Sequence, residues 1–205
     1  MSLATPLVHI VDDDAAFLAA ASRLLKASGF TVKIYAAPEE LLAGLPDEAP
    51  GCVLADLHMP GMSGLELQDA LARSRNPLPV VFLTGAGDIP ASVQAMRQGA
   101  EDFLTKVAPK ELILGAVHRA LARDAKERAA RDRLARLRTL FAGLTGRERE
   151  VLGHVVRGRQ NKQIAADLGI AERTVKLHRT AITTKLGVPS VAELTRLWLE
   201  LDAGA

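Results

Sequence analysis

The sequence predicts two domains of different class, an α/β domain followed by an all-α domain, joined by a long helix. Three observations lead to this prediction. From Leu7 to about Leu104, short β-rich runs alternate with helical patterns, as in βαβ units that build a parallel sheet. From Pro109 onward the pattern is helical, with no further proline before Pro189. Residues 141–205 contain no strand pattern, so the second domain is expected to be helical.

The α/β domain is predicted to contain five strands and five helices. The predicted strands are residues 7–11, 30–35, 52–55, 80–83 and 102–105. Amphipathic stretches near 15–28, 38–44, 64–74 and 89–98 lie between them, with Gly29, Gly44 and Gly99 as helix stops. This alternation fits a doubly wound parallel sheet of flavodoxin-like order, 2-1-3-4-5.

The helix after Pro109 begins with an apolar stripe and then becomes rich in Ala, Arg, Asp and Glu. Acid-before-base pairs at i, i+4 spacing favour a solvated linker helix. The pairs are Asp124 with Arg128, Glu127 with Arg131 and Asp132 with Arg136. A continuous helix from Lys110 to about Arg138 would span ~40 Å. A coiled coil is the alternative, but the middle heptads lack large apolar residues.

Four short helices are predicted in residues 141–205. Thr145-Gly146-Arg147-Glu148 is a capping-box start for the first of them. The second fits residues 161–168 and the third about 172–186, closed by Gly169 and Gly187, and a capping box at residues 190–193 opens the fourth. The second and third helices, joined by residues 169–171, have the dimensions of a helix-turn-helix.

The charge is divided unevenly along the 205 residues. Residues 1–108 carry 7 Lys and Arg against 13 Asp and Glu, whereas residues 109–205 carry 19 against 11. This division suggests that one part handles a cation or phosphate and the other a polyanion. The single cysteine, Cys52, excludes an internal disulfide, and its mid-strand position favours a buried structural thiol. No segment resembles a signal peptide or reaches the ~20 apolar residues of a membrane span, so we expect a cytoplasmic protein without a membrane partner.

Polar residues follow the predicted strands at the edge where open α/β sheets place their chemistry. They are Asp12, Asp13 and Asp14 after the first strand, Asp56 after the third, Thr84 after the fourth and Lys106 after the fifth. Adjacent carboxylates repel one another unless a cation neutralises them. Carboxylate oxygens suit Mg²⁺, for which Mn²⁺ or Ca²⁺ could substitute, and an Asp carboxylate is a competent nucleophile for phosphoryl transfer.

Each of these residues also has an ordinary structural interpretation. The three aspartates could cap a helix, which is the preferred role for Asp14, while Lys106 could be a surface lysine and Thr84 a turn residue. Their joint occurrence at one sheet edge favours a phosphoryl-transfer site.

Residues 7–106 resemble the receiver domain of bacterial two-component response regulators. The motifs are residues 11–14, the run from Asp56 to Gly64, Thr84-Gly85 and Lys106. The resemblance implies that Asp56 is the phosphoacceptor and that Mg²⁺ is held by Asp12, Asp13, Asp56 and the main-chain carbonyl of His58. It also implies that Thr84 follows the phosphoryl group, that Phe103 is the switch aromatic and that Lys106 binds the phosphate. Residues 84–90 further resemble the FixJ-like subgroup.

One position departs from this family's pattern. The family usually follows its lysine with a proline in a cis peptide, whereas Val107 follows Lys106 here. A non-proline cis bond costs ~3 kcal/mol, so we expect a trans bond and a locally different loop, with consequences for phosphorylation rate and lifetime.

Residues 144–187 resemble the DNA-binding domain of the NarL/LuxR/FixJ type. Lys176, Leu177 and Thr180 share a helical face and match positions at which the family touches bases. Thr174, His178, Arg179 and Lys185 are assigned to phosphates or to the shape of the helix, and Lys162 to the DNA backbone. Val175, Ile182 and Leu186 are expected in the core. Trp198 fits either interior packing or a dimer interface.

The combined interpretation is a phosphorylation-dependent transcriptional regulator rather than a turnover enzyme, with slow self-dephosphorylation at most. Residues 1–122 would be the receiver, 123–140 a helical linker and 141–205 the DNA-binding domain. The implied partners are a sensor histidine kinase, double-stranded promoter DNA, RNA polymerase and, once phosphorylated, a second copy of the chain.

Two other functions remain open at this point. A phosphorylation-independent DNA-binding protein could use the receiver only for dimerisation. This is the more serious alternative, because Val107 replaces the family's usual proline. A hydrolase with a phospho-aspartate intermediate would need an acid two residues after Asp56, where His58 stands, and a substrate-capping insertion.

Overall fold

A computed structural model describes residues 5–85 and 89–203. The chain separates into two compact units, residues 1–128 and 129–205. Residues 86–88, which belong to the stretch that resembles the FixJ-like subgroup, lie outside the described residues. In the described part of the chain, no helix combines the length and the apolar character that crossing a membrane requires.

The first unit contains a five-stranded parallel sheet of order β2-β1-β3-β4-β5, which confirms the predicted flavodoxin-like topology. The strands are β1 (Leu7–Val11), β2 (Thr31–Tyr35), β3 (Gly51–Ala55), β4 (Val80–Thr84) and β5 (Asp102–Thr105). The helices are α1 (Ala15–Ala27), α2 (Pro38–Gly44), α3 (Gly64–Ala72), α4 (Ile89–Arg97) and the start of α5 (Lys110–Ala142).

The central strands are buried on both faces, as expected of a parallel sheet covered by helices on both sides. Successive residues of β3 therefore enter different cores. Cys52 and Leu54 pack with α1 and α5, whereas Val53 and Ala55 pack with α2, α3 and α4. Burial, together with the charge of Asp124, raises the pKa of the Cys52 thiol to about 12, in agreement with its predicted structural role.

The second unit contains α6 (Gly146–Val155), α7 (Asn161–Leu168), α8 (Glu172–Leu186) and α9 (Val191–Ala203), close to the predicted bounds. Thr145 forms the predicted capping box with Glu148. Gly169 and Gly187 end α7 and α8 in the left-handed conformation. The core of this unit also includes Leu137 and Phe141 from the end of α5, and Trp198 is half-buried against it with its ring 5.9 Å from that of Phe141.

The predicted continuous helix is confirmed by α5, but the expectation that residues 123–140 are solvated is wrong at Asp124 and at Leu137, which are buried. Asp124 is only 2% exposed, and its carboxylate accepts hydrogen bonds from Gly51 N at 3.0 Å and from Arg128 at 3.0 Å. Arg128 also donates to the Asn76 side chain and to the carbonyls of Glu48 and Ala49. The i, i+4 rule identifies the Asp124–Arg128 pair, but it gives no information on partners distant in sequence. Farther along the helix, residues 137 and 141 are buried.

Candidate metal centre and nucleic-acid interface

The sheet register brings the predicted acidic residues together at the carboxyl edge. Val11 and Ala55 are register partners, so the residues that follow them, Asp12 and Asp56, lie side by side. The main chain continues this pairing, because Asp56 N donates to Val11 O at 2.9 Å. Carboxylate oxygens of Asp12, Asp13 and Asp56 all lie within 4.8 Å of one another. Asp12 and Asp56 are buried, whereas Asp13 is exposed.

A tight turn directs the chain away after Asp56. Gly64 is required there, because a Cβ at this position would lie 2.3 Å from the Asp56 carbonyl oxygen and 2.8 Å from the Phe82 ring. Gly61, at φ +82°, adopts a backbone conformation that side chains rarely tolerate. Ser63 then caps α3 through a capping box with Glu66. The turn thus returns the chain onto the sheet and leaves the Asp56 carboxylate at its edge.

Lys106 joins the two buried carboxylates. Its Nζ donates to Asp56 Oδ2 at 2.9 Å and lies 2.6 Å from Asp12 Oδ2. The contact with Asp12 is an ion pair. The other oxygen of Asp56, Oδ1, accepts a hydrogen bond from Leu57 N at 2.7 Å. Both oxygens of Asp56 therefore have defined partners.

The electrostatics of this pocket suit a divalent cation. Burial raises the pKa of the Asp12 carboxyl, and the nearby Lys106 only partly offsets this. Burial alone would lower the pKa of Lys106, but its contacts with Asp12 and Asp56 outweigh that effect and raise the pKa. Three carboxylates around one ammonium leave an excess of negative charge on hard oxygen ligands, which is the donor set that small divalent ions prefer. The residues present therefore fit a metal ion of this class.

The remaining residues predicted for this site lie close to the same edge. Thr84 is the last residue of β4 and is 1% exposed, and its carbonyl accepts from Lys106 N at 2.8 Å. Phe103 is half-buried in β5, with its ring 6.1 Å from that of Phe82. His58 is exposed in the turn after Asp56.

The first peptide bond of the loop after Lys106 is trans, as the sequence predicts. Throughout residues 5–85 and 89–203 the peptide bonds are trans, and this includes the bond between Lys106 and Val107. Val107 is 89% exposed. The lysine still reaches Asp12 and Asp56, so a proline at position 107 is not needed for that contact.

Asp14 has the capping role preferred for it, since its side chain accepts from the main-chain N–H groups of Ala16 and Phe17 at the start of α1. Sequence reasoning missed Phe17, whose ring centroid lies 4.7 Å from Lys106 Nζ. An aromatic residue in the first turn of a helix gives no signal of which distant side chain it will face.

In the second unit, α7 and α8 form the predicted helix-turn-helix, and α8 presents a polar face. Lys176, Leu177 and Thr180 are exposed on it, and Lys162 is exposed on α7. Residues predicted for the core are buried, namely Val175, Ile182 and Leu186. Thr174, His178 and Arg179 are partly exposed. The large exposed fraction of Leu177, 62%, is notable because an apolar side chain gains nothing from water.

Arg179 and Lys185, which are predicted to contact DNA, link α8 to other helices of the unit. Arg179 donates to Asn161 Oδ1 at 2.8 Å, which links α8 to the start of α7. Lys185 donates to Glu148 Oε2 at 2.8 Å and links α8 to α6. This hydrogen bond from Lys185, followed by the one from Thr145 N, lowers the pKa of Glu148 to about 2. Lys185 therefore contributes to the packing of the unit, a role that its position in the sequence does not indicate.

Comparison with known proteins identifies the family of each domain. The model of the response regulator receiver domain matches residues 8–118, and that of the bacterial regulatory proteins of the luxR family matches residues 142–198. The response regulator protein TodT of Pseudomonas putida is 39% identical over 96% of this chain and 87% of its own length. The transcriptional regulatory protein FixJ of Rhizobium meliloti is 40% identical over 94% of each chain. The solved structure of the response regulator StyR has a TM-score of 0.86 and 43% identity, covering 96% of this chain and all of that one.

A receiver domain followed by a LuxR-type helix-turn-helix defines a two-component transcriptional regulator, with a sensor kinase as its partner and DNA as its target. The chain belongs to the NarL/FixJ family of response regulators, as a FixJ-like member.

Proposed function

We propose that this protein regulates transcription in response to phosphorylation of Asp56 by a sensor histidine kinase. The observation that carries the proposal is the contact of Lys106 Nζ with both Asp56, at 2.9 Å, and Asp12, at 2.6 Å, inside a cluster of three carboxylates. A nucleophilic carboxylate, a fixed cation and a set of metal ligands are the parts that phosphoryl transfer requires.

In the proposed reaction, a carboxylate oxygen of Asp56 attacks the phosphorus of a phosphohistidine on the kinase. A P–O bond forms, the P–N bond breaks, and its electron pair remains on the imidazole nitrogen. Lys106 would neutralise charge on the phosphoryl oxygens. Asp12, Asp13, Asp56 and the main-chain carbonyl of His58 would hold Mg²⁺, or Mn²⁺ or Ca²⁺ in its place, and the bound ion supplies further charge neutralisation.

The phosphoryl group would then shift the receiver between two conformations. Thr84 would move its hydroxyl toward the phosphate, and Phe103 would turn into the space that this motion opens. The surface of α4 and α5 would change as a result and favour a homodimer. Slow self-dephosphorylation would return the receiver to its resting state, without turnover of an external substrate.

A two-fold dimer would present a pair of α8 helices to a roughly palindromic promoter. Lys176, Leu177 and Thr180 would contact bases. The remaining contacts would go to phosphates, from Lys162, Thr174, His178 and Arg179, while Lys185 would act mainly through Glu148. RNA polymerase would be the downstream partner at that promoter, and the protein would act in the cytoplasm, where the DNA is found.

The first test is labelling of the full chain by acetyl phosphate with Mg²⁺. The Asp56→Asn variant should lose the label, because an amide is a far weaker nucleophile than a carboxylate. Asp47→Asn is the matched control, since Asp47 is an exposed aspartate that pairs with Arg75, and it should be labelled like the wild type. Labelling of a single residue that persists in Asp56→Asn would contradict the proposal.

A second measurement tests the link to DNA. Promoter affinity should rise when beryllofluoride and Mg²⁺ are added to the wild-type protein and should not change for Asp56→Asn. Equal affinity of the wild type with and without beryllofluoride would favour the phosphorylation-independent alternative.

A further inference from the structure

The Lys106 side chain is only weakly constrained on one side. Its main chain is fixed by the hydrogen bond to Thr84 O, but the next residue, Val107, is 89% exposed. A cavity of about 200 Å³ borders the lysine. Apolar side chains line most of this cavity, among them Leu54, Leu83 and Ile113. The flexible stem of the lysine therefore has open space beside it, and its aim depends on contacts made near Nζ.

The face of Phe17 provides one of those contacts. The ring centroid lies 4.7 Å from Lys106 Nζ, within the range of a cation–π interaction. Only 17% of the lysine side chain is exposed, so solvent weakens this attraction less than at an open surface.

Phe17 is itself held relative to the acidic pocket. Its N–H donates to Asp14 Oδ1 at 3.2 Å, and Asp14 N donates to Asp12 Oδ1 at 2.9 Å. The other oxygen of Asp12 contacts Lys106. These contacts connect Phe17 to Asp12 in two ways, through Asp14 on one side and through Lys106 on the other.

We infer that Phe17 is a positioning residue for phosphoryl transfer to Asp56, acting through a cation–π contact that aims the Lys106 ammonium. This inference rests on the proposed function. The two carboxylate partners of Lys106 change during the reaction, Asp56 by gaining a phosphoryl group and Asp12 by neutralisation in the metal site. The ring of Phe17 is altered by neither event, so it keeps the ammonium at the pocket while the charges around it change.

The test replaces Phe17 in the full-length protein by 4-fluoro-, 3,5-difluoro- and 3,4,5-trifluorophenylalanine. Ring fluorination weakens the cation–π attraction stepwise with little change of size or apolar character. The initial rate of Asp56 phosphorylation by acetyl phosphate with Mg²⁺ should fall with each step, by threefold to tenfold for the trifluoro ring. Phe17→Leu should fall at least as far, and Phe17→Tyr should retain the wild-type rate.

Phe30 offers a matched control, since it is a half-buried aromatic residue packed against the same core as Phe17. The same fluorinated series at Phe30 should leave the rate unchanged. A second readout is independent of phosphorylation: the Lys106 side-chain methylene protons should show a ring-current shift by NMR that Phe17→Leu abolishes.

The possible outcomes separate the inference from the proposed function. A rate that does not vary along the Phe17 series, or an equal loss along the Phe30 series, would overturn the role of Phe17 while leaving Asp56 as the acceptor. Absence of a ring-current shift would overturn the contact itself. If wild-type Asp56 is not labelled at all, the proposed function fails and the role of Phe17 fails with it.

Discussion

The carboxyl edge of the sheet and the exposed face of α8 use charged side chains in opposite ways. At the sheet edge, Asp12, Asp56 and Lys106 are largely withdrawn from water, and Lys106 Nζ lies 2.6 Å from Asp12 and 2.9 Å from Asp56. On α8, the Lys176 side chain is 66% exposed and lies 3.6 Å from the Glu172 carboxylate. The charges of the first site are paired within the protein, whereas the Lys176 side chain remains mostly in water.

The same comparison exposes two places where charge alone misleads. Asp124 and Arg128 lie in a charged stretch that is typical of a solvated helix. Their side chains nevertheless form hydrogen bonds that join α5 to the start of β3 and to the loop before it. Lys185 lies on α8, the helix predicted to contact DNA, yet it donates a hydrogen bond to Glu148 at 2.8 Å. In both cases the partner is distant in sequence, so the charge of a residue does not by itself show whether it stabilises the fold or binds a ligand.

The largest effect is expected at Asp124. Asp124→Ala leaves Arg128 without its buried counter-charge and Gly51 N without its acceptor, so the free energy of unfolding of the receiver should fall by about 3–5 kcal/mol. The chain contains one tyrosine, Tyr35, and one tryptophan, Trp198, which report on the two units separately. Urea unfolding should shift in the Tyr35 signal and remain unchanged in the Trp198 signal.

Asp132→Ala is the matched control on the same helix, because Asp132 is exposed. It should change stability by less than about 0.5 kcal/mol. If the two variants behave alike, Asp124 is part of a linker after all, as its local sequence suggests.

How far the sequence leads depends on whether an interaction follows from local pattern or from packing. The five strands, the topology and the convergence of Asp12, Asp56 and Lys106 are predictable, because parallel strands end at a common edge. The cap formed by Asp14 is predictable from its position before a helix.

The contacts that cannot be predicted join residues far apart in the chain. Gly51 with Asp124, Phe17 with Lys106 and Glu148 with Lys185 all depend on how helices lie on their neighbours. No periodicity in the sequence records that packing, so these residues carry no local signal of their partners.

A smaller effect is expected at His9, a buried histidine in β1 whose Nδ1 lies 3.0 Å from the Tyr35 hydroxyl. Burial, reinforced by the charge of Lys33, lowers the pKa of His9 to about 4 from its ordinary 6.5. The unfolded chain therefore binds a proton below pH 6.5 that the folded chain binds only near pH 4. This contribution to stability is complete above pH 6.5 and is lost as the pH falls, by about 2 kcal/mol between pH 7 and pH 5.

The measurement is urea unfolding of the full chain at pH 7 and at pH 5, monitored by circular dichroism. Glutamine at position 9 does not titrate and can still accept a hydrogen bond from Tyr35. In His9→Gln the loss of stability between pH 7 and pH 5 should therefore be smaller by about 2 kcal/mol. An unchanged loss in the variant would show that other groups carry the pH dependence and that burial does not hold His9 neutral.

The smallest effect separates the two lysines of α8. Lys176→Ala should weaken promoter binding by roughly tenfold and flatten the dependence of log K on log salt, because it removes a cation from the face of α8 that is proposed to contact bases. Lys185→Ala should instead lower the urea midpoint of the Trp198 signal, because it removes the cation that stabilises the buried Glu148 carboxylate. Its salt slope should stay close to that of the wild type. An equal loss of slope in both variants would place Lys185 on the DNA, and its contact with Glu148 would then have to break when DNA binds.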